Sequence, residues 1–146
     1  MMSIERVRAY FRARNLEDRV QEFDVSSATV ELAAQALHVE DRVALVVAAG
    51  DAKIANPKFK AQFHTKAKML SHDEAESLIG HAVGGVCPFA VNDGVDVYLD
   101  ESLRRFETVF PAAGSASSAI ELTIPELEAN CDHFKGWVDV CKLPEG

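Results

Sequence analysis

The sequence predicts an α/β fold of the α+β type, a mixed, barrel-like β-sheet flanked by helices, and three observations predict it. The run RVALVVAAG, from Arg42 to Gly50, is almost wholly apolar and rich in β-branched residues, which marks a strand buried on both faces. About seven short apolar runs are interleaved irregularly with helical patterns, which disfavours a regular parallel βαβ stack. Two capping boxes, Ser71-x-x-Glu74 and Thr123-x-x-Glu126, mark helix starts between those runs. With 146 residues, 48% hydrophobic and 26% charged, residues 1–146 are read as one domain with a sizeable core.

Each element has its own signal. Ile4, Val7, Tyr10 and Phe11 stand at three-and-four spacing among arginines, the pattern of an amphipathic first helix. VQEFDV has the mixed character of a short strand, and Ser26 and Ser27 offer an N-cap for a second helix through Leu32, Ala33, Ala36 and Leu37. The core strand follows and is closed by a Gly50-Asp51 turn. Asn56 and Pro57 supply a cap and a first-turn proline for a helix through Phe63, and KAKML reads as a strand. The helix opened by Ser71 stops at Gly80. Beyond it, GHAVGGVCPFAV is expected as a strand joined through Asn92-Asp93-Gly94 to VDVYLD, because Asp-Gly between apolar runs is a hairpin signal. RFETVFPAAGS reads as a strand broken by Pro111 and Gly114, IELT as a paired strand, and GWVDVCK as the closing strand after the helix at Thr123.

Composition narrows the function classes. No apolar run approaches the ~20 residues of a membrane helix and the N-terminal stretch is charged, so a soluble, cytoplasmic protein with no membrane partner is expected. Cys87, Cys131 and Cys141 form no CxxC pattern and no HExxH occurs, so neither a disulfide framework nor a metal or cofactor is expected. The net charge of −8 argues against a general basic surface for duplex nucleic acid, and no DNA partner is expected. A local exception is the set Lys53, Lys58, Lys60, Lys66 and Lys68, which can receive a phosphate backbone or can simply be a solvated face.

The chemistry concentrates in GHAVGGVCPF, Gly80 to Phe89. Gly84, Gly85 and Val86 expose consecutive N–H groups able to donate to a carbonyl or oxyanion, and Pro88 fixes the exit of the chain. A β-bulge at a sheet corner wants the same glycines. Cys87 reads as a nucleophile or as a small buried hydrophobe, the latter favoured because His81 would stand about 20 Å away along a strand. His38, His64, His72 and His133 read as surface or turn residues. The Gly114-Ser115-Ala116-Ser117-Ser118 stretch offers hydroxyls to a pocket or is a plain turn.

GHAVGGVCPF together with YLDESLRRFETVFPAAGSASSAIELT resembles the YbaK/ProX family of aminoacyl-tRNA deacylases, the free-standing relatives of the editing domain of bacterial prolyl-tRNA synthetase. The likeness runs from the first helix to GWVDV. It implies that the Gly-x-x-x-Pro motif, here Gly84 to Pro88, lines a pocket for the misattached aminoacyl group at the tRNA 3′ end. It implies metal-independent hydrolysis relying on substrate groups and an ordered water, with Gly84, Gly85 and Val86 as backbone donors and His81, Cys87, Pro88, Gly114 and Ser115 lining the substrate. Alanyl- and cysteinyl-tRNA of the proline isoacceptor are the implied targets, and an aminoacyl-tRNA synthetase or elongation factor the implied helper.

Two departures accompany the resemblance. Family members carry a further strand with a Lys-Thr or Lys-Asn pair between the second helix and the core strand; here His38 runs through Val39-Glu40-Asp41 straight into the core strand, so that strand reads as missing between about 39 and 42. Lys53, Lys58 and Lys60 come after the core strand and do not match it. A disordered segment closed over in the numbering is the expected reason, since deleting a central strand exposes sheet edges. The pocket loop before SAIELT holds only serines where relatives place a histidine or aspartate. The alternative to a deacylase is a non-catalytic binding module for aminoacyl-adenosine, the tRNA 3′ end or a synthetase.

Overall fold

Arg42–Ala49 forms the central strand, and Ala44 to Ala49 are all buried, as an apolar run between two packed layers must be. The computed structural model describes residues 3–22, 32–39, 42–49, 52–81, 87–111, 113–114 and 118–142. In chain order these form α1 (Ser3–Arg12), β1 (Val20–Glu22), β2 (Leu32–Val39), β3 (Arg42–Ala49), β4 (Lys53–Ile54), α2 (Asn56–Phe63), β5 (Lys68–Met69) and α3 (His72–Ile79). They continue with β6 (Val95–Asp100), β7 (Thr108–Val109), β8 (Ser118–Ile120), β9 (Leu122–Thr123), α4 (Ile124–Asn130), β10 (Phe134–Val138) and β11 (Cys141–Lys142).

One five-stranded sheet, order β10-β6-β3-β2-β5, carries the architecture. The pairs β10–β6 and β6–β3 are parallel; β3–β2 and β2–β5 are antiparallel. Three antiparallel ribbons, β1–β8, β4–β11 and β7–β9, complete a mixed α+β fold, and among the described residues no sheet closes into a barrel. Side chains alternate across the sheet. Leu45 and Val47 of β3, with Val97 and Leu99 of β6, face α1, α3 and α4; Val46 and Ala48 face Phe59 of α2. Phe59, fully buried, stacks on Phe63 at 4.6 Å, and Phe63 meets Tyr98 of the sheet edge-on at 5.0 Å.

Both capping boxes are present: the Ser71 and Thr123 hydroxyls accept from the amides of Glu74 and Glu126, whose carboxylates accept from the cap amides in return. At α2 the cap is Ala55, so Asn56 lies inside the helix and caps nothing.

Two expectations are overturned. Leu32–Val39 is a strand, not a helix, paired along its whole length with β3. Alanine and leucine favour a helix by only tenths of a kcal/mol per residue, whereas an unpaired edge of the buried β3 would leave a row of backbone groups unsatisfied. This strand therefore fills the sheet position beside the core strand, and it carries no lysine. Ser26 and Ser27 lie outside the described residues. Nor does VDVYLD belong to a hairpin: Cys87 to Val91 are not a strand, and β6 pairs with β3 and β10. Gly94, at φ +87°, does turn the chain into β6.

The far ends of β3 and β6 are tied by one buried polar group. The Asp100 carboxylate, 1% exposed, accepts from the amides of Ser102 (2.9 Å) and Val140 (2.9 Å), and the Ser102 hydroxyl accepts from the Ala49 amide at 3.1 Å. Replacing Asp100 with alanine strands two buried donors, and a loss on the order of 3 kcal/mol is expected. Urea unfolding followed by the single tryptophan, Trp137, checks this, and an unchanged midpoint would contradict it.

At the near end Arg42 grips Asp96 with two bonds of 2.7 and 2.6 Å, and this pairing holds the Asp96 carboxyl below the usual carboxylate range. A folded-state value below the unfolded one of about 3.9 means that the stabilisation is complete above that pH and is lost as pH falls through the folded value. Asp96→Asn should therefore lower stability at pH 7 by about 1 kcal/mol, Arg42 being largely exposed, and flatten its decline in acid. Thermal melts from neutral to acid pH will read both effects.

Candidate functional site

The segment between α3 and β6 is held at both ends by a side chain from α1. Arg6 donates to the carbonyls of Gly80 (3.2 Å) and Ala90 (2.9 Å) and to the Asn92 side-chain oxygen (3.3 Å). Gly80 ends α3 in the left-handed conformation, φ +101°, and a Cβ there would stand 2.7 Å from the Arg6 guanidinium and 2.8 Å from Asn92 Oδ1. Glycine is thus demanded twice, by the helix end and by the clamp. Asn92 closes the neck from the other side, its amide donating to Ile79 O at 2.9 Å and its side chain to Ser77 O at 3.2 Å.

Asp132, just past α4, holds the middle. Its amide donates to Pro88 O at 2.8 Å and its carboxylate accepts from the Val91 amide at 3.2 Å. Phe89 is fully buried and packs edge-on against Phe11 of α1 at 4.7 Å. Tyr10, one residue earlier, donates to Asn130 O at 2.5 Å, and burial pushes its phenol up to about 12. One face of α1 and the end of α4 thereby fix Cys87 to Asn92 from both sides.

His81 and Cys87, expected about 20 Å apart along a strand, are in contact instead: Cys87 Sγ lies 3.7 Å from His81 Nε2. Proximity does not make them a catalytic pair. His81 Nε2 stands 2.8 Å from Phe89 O, and a carbonyl only accepts, so Nε2 carries the proton and has no lone pair for the thiol. Burial pushes His81 below the usual imidazole value, the Phe89 carbonyl opposing this and the Arg6 charge adding to it. Burial also pushes the Cys87 thiol up to about 12, against a smaller opposing effect of the Phe89 and Gly114 backbones. A neutral imidazole beside a protonated thiol is a packing element and not a nucleophile with its base.

Four of the residues singled out in the sequence are therefore brought together: His81 against Cys87, Pro88 next in the chain and buried, and the buried Gly114 with its backbone near the Cys87 sulfur. Gly84, Gly85, Val86 and Ser115 lie outside the described residues. Arg6 and Asp132 hold the loop without any sequence signal, since an arginine among the arginines of an amphipathic helix reads as a solvated residue, and Asn92 was legible only as a turn residue. Among the described residues no cluster of three or more His, Cys, Asp or Glu side chains is placed to hold a metal, and no helix is long and apolar enough to cross a membrane.

The chain as a whole is similar to known proteins. The protein described as "Uncharacterized protein YwhH" from Bacillus subtilis (strain 168) is 49% identical over 155 residues, covering 97% of this chain and 98% of the relative. An alignment of 155 positions exceeds the 146 residues here, so the relative carries residues with no counterpart in this chain. A solved structure described as "Crystal structure of a putative trans-editing enzyme for prolyl tRNA synthetase" superposes with a TM-score of 0.82 at 24% identity, covering 99% of this chain and 98% of that one. Another, "Crystal structure of hypothetical protein APE2540", superposes with a TM-score of 0.80 at 20% identity over 94% of this chain and 99% of that one. These two likenesses establish a shared fold. Residues 12–129, from the last turn of α1 to α4 and including the whole clamped loop, match the family described as "Aminoacyl-tRNA editing domain", and the chain belongs to that family.

Proposed function

We propose that the protein is a trans-editing hydrolase that, as one domain over residues 1–146, removes a wrongly attached amino acid from tRNA. The observation that carries this reading is the family match over residues 12–129, which contains both the loop held by Arg6 and the Gly114 turn beside it. A water attacks the ester carbonyl carbon. The backbone N–H groups of Gly84, Gly85 and Val86 receive the oxyanion, each such donor being worth about 3 kcal/mol in the transition state. Collapse breaks the bond to the terminal ribose oxygen, which takes a proton, and free amino acid and intact tRNA leave. Pro88 shapes the pocket, Ser115 stands near the substrate, and His81 and Cys87 back the loop from behind. No metal or cofactor is invoked, and alanyl and cysteinyl esters of proline tRNA are the first substrates to test. A chain of net charge −8 holds tRNA weakly, so a synthetase or elongation factor is the proposed helper.

A second reading, a binding module without chemistry, is favoured by one observation: the strand beside β3 carries no lysine, the residue that relatives of the resembling family aim at the substrate from that region.

The deciding measurement is release of alanine and cysteine from mischarged proline tRNA by the purified protein, its intact mass checked. Hydrolysis is expected, and Cys87→Ala should keep it within about threefold and leave it insensitive to alkylation, because the thiol takes no part. Absence of hydrolysis with every substrate would leave the binding module. Arg6→Ala should lower kcat on the order of tenfold through a displaced loop while affinity for uncharged tRNA stays the same, and Arg6→Lys should restore part of it. Equal kcat in Arg6→Ala and wild type would remove the clamp from the mechanism.

A further inference from the structure

Six of the fifteen lysines and arginines of this acidic chain are closely matched. Arg8, Arg12, Arg19, Arg42, Lys58 and Arg104 each reach a carboxylate at 2.5–2.8 Å. Lys60, Lys66 and Lys68 do not: all three are exposed, and among the described residues no carboxylate lies within ion-pair distance of them. They also share a surface. Asn56, Pro57, Lys60, Lys66 and Ala67 line a cleft of about 480 Å³, and His38, Thr65, Lys66 and Lys68 line a second of about 330 Å³, so that Lys66 belongs to both. His38 and Lys68 are register partners on β2 and β5, and His38 bonds Glu74 of α3 at 3.1 Å, which puts this end of the strip on the α3 side of the sheet. Lys60 rides on α2, which packs on the opposite side. The strip therefore wraps the β5 edge of the sheet.

Lysine on an edge strand blocks strand-to-strand association, and that alone would account for Lys68. It does not account for Lys60 on a helix and Lys66 in a loop, which protect no edge. We propose that the strip is a second nucleic-acid contact, a track for tRNA phosphates a few nucleotides from the 3′ end. The identity of the polyanion rests on the editing reading. The spacing is set by α3, which starts just after Lys68 and ends at the clamped loop; its eight residues span about 12 Å, a short stretch of nucleic-acid backbone. A chain repelling RNA overall needs such a local strip, since phosphate neutralisation supplies most non-specific affinity.

Binding of uncharged tRNA, measured as a function of salt, tests this without requiring hydrolysis. Each of Lys60→Gln, Lys66→Gln and Lys68→Gln should weaken binding and reduce the slope of log K against log salt by about one, and the triple variant by about three. Lys135→Gln, an exposed lysine within 3.9 Å of Asp96, should leave the slope unchanged. A triple variant with the wild-type slope would overturn the proposal, as would a wild type that does not bind uncharged tRNA. Lysine-dependent binding without hydrolysis would keep the strip and remove the enzyme; hydrolysis with lysine-independent binding would do the reverse.

Discussion

The structure depends on satisfying both edges of β3. Six successive residues, Ala44 to Ala49, are shielded on both faces, so no water reaches their amides and carbonyls, and each must find a partner in a neighbouring strand. β6 supplies one edge in parallel and β2 the other in antiparallel. From that requirement the rest follows: β6 must be reached by a crossover, the crossover holds α2, β5 and α3, and the segment returning from α3 to β6 becomes the loop on which the candidate pocket is built.

From Cys87 to Asn92 that segment has no regular secondary structure and is held by side chains. Its amides and carbonyls are paired with Arg6, Asn92 and Asp132, side chains from α1, the loop's own end and the turn after α4, where a hairpin would have used a neighbouring strand. The exchange frees the loop from the pleat. A strand through Cys87 would alternate its side chains to opposite faces and keep His81 far off; here imidazole and thiol are in contact and buried, and burial keeps both uncharged.

Much of this was legible in the amino-acid order. The apolar stripe of α1, the two capping boxes and the doubly buried β3 follow from local chemistry that tertiary contacts did not override, whereas GWVDVCK, expected as one closing strand, is split between β10 and β11, which pair in different sheets. Leu32–Val39 was not legible as a strand because LAAQALHV suits either state by composition, and only the unpaired edge of β3 decides. The Asp-Gly turn was real but its presumed first strand was not, since turn chemistry is local and strand pairing is not. His81, Cys87, Pro88 and Gly114 stood out by type, whereas Arg6 did not, because nothing in its neighbourhood separates a clamp from a solvated arginine. The fold and half the site are local statements; the clamp is a statement about residues 84 positions apart.

That separation sets an order of assembly. Arg6 leaves the ribosome early, and its partner carbonyl at Ala90 follows 84 residues later. During synthesis the N-terminal helix must therefore wait, its guanidinium hydrated, until nearly two thirds of the chain has emerged. Only then can the loop shut against it. A nascent chain cut short before Asn92 lacks β6 as well, so one edge of β3 stays unpaired while the Arg6 clamp stays open.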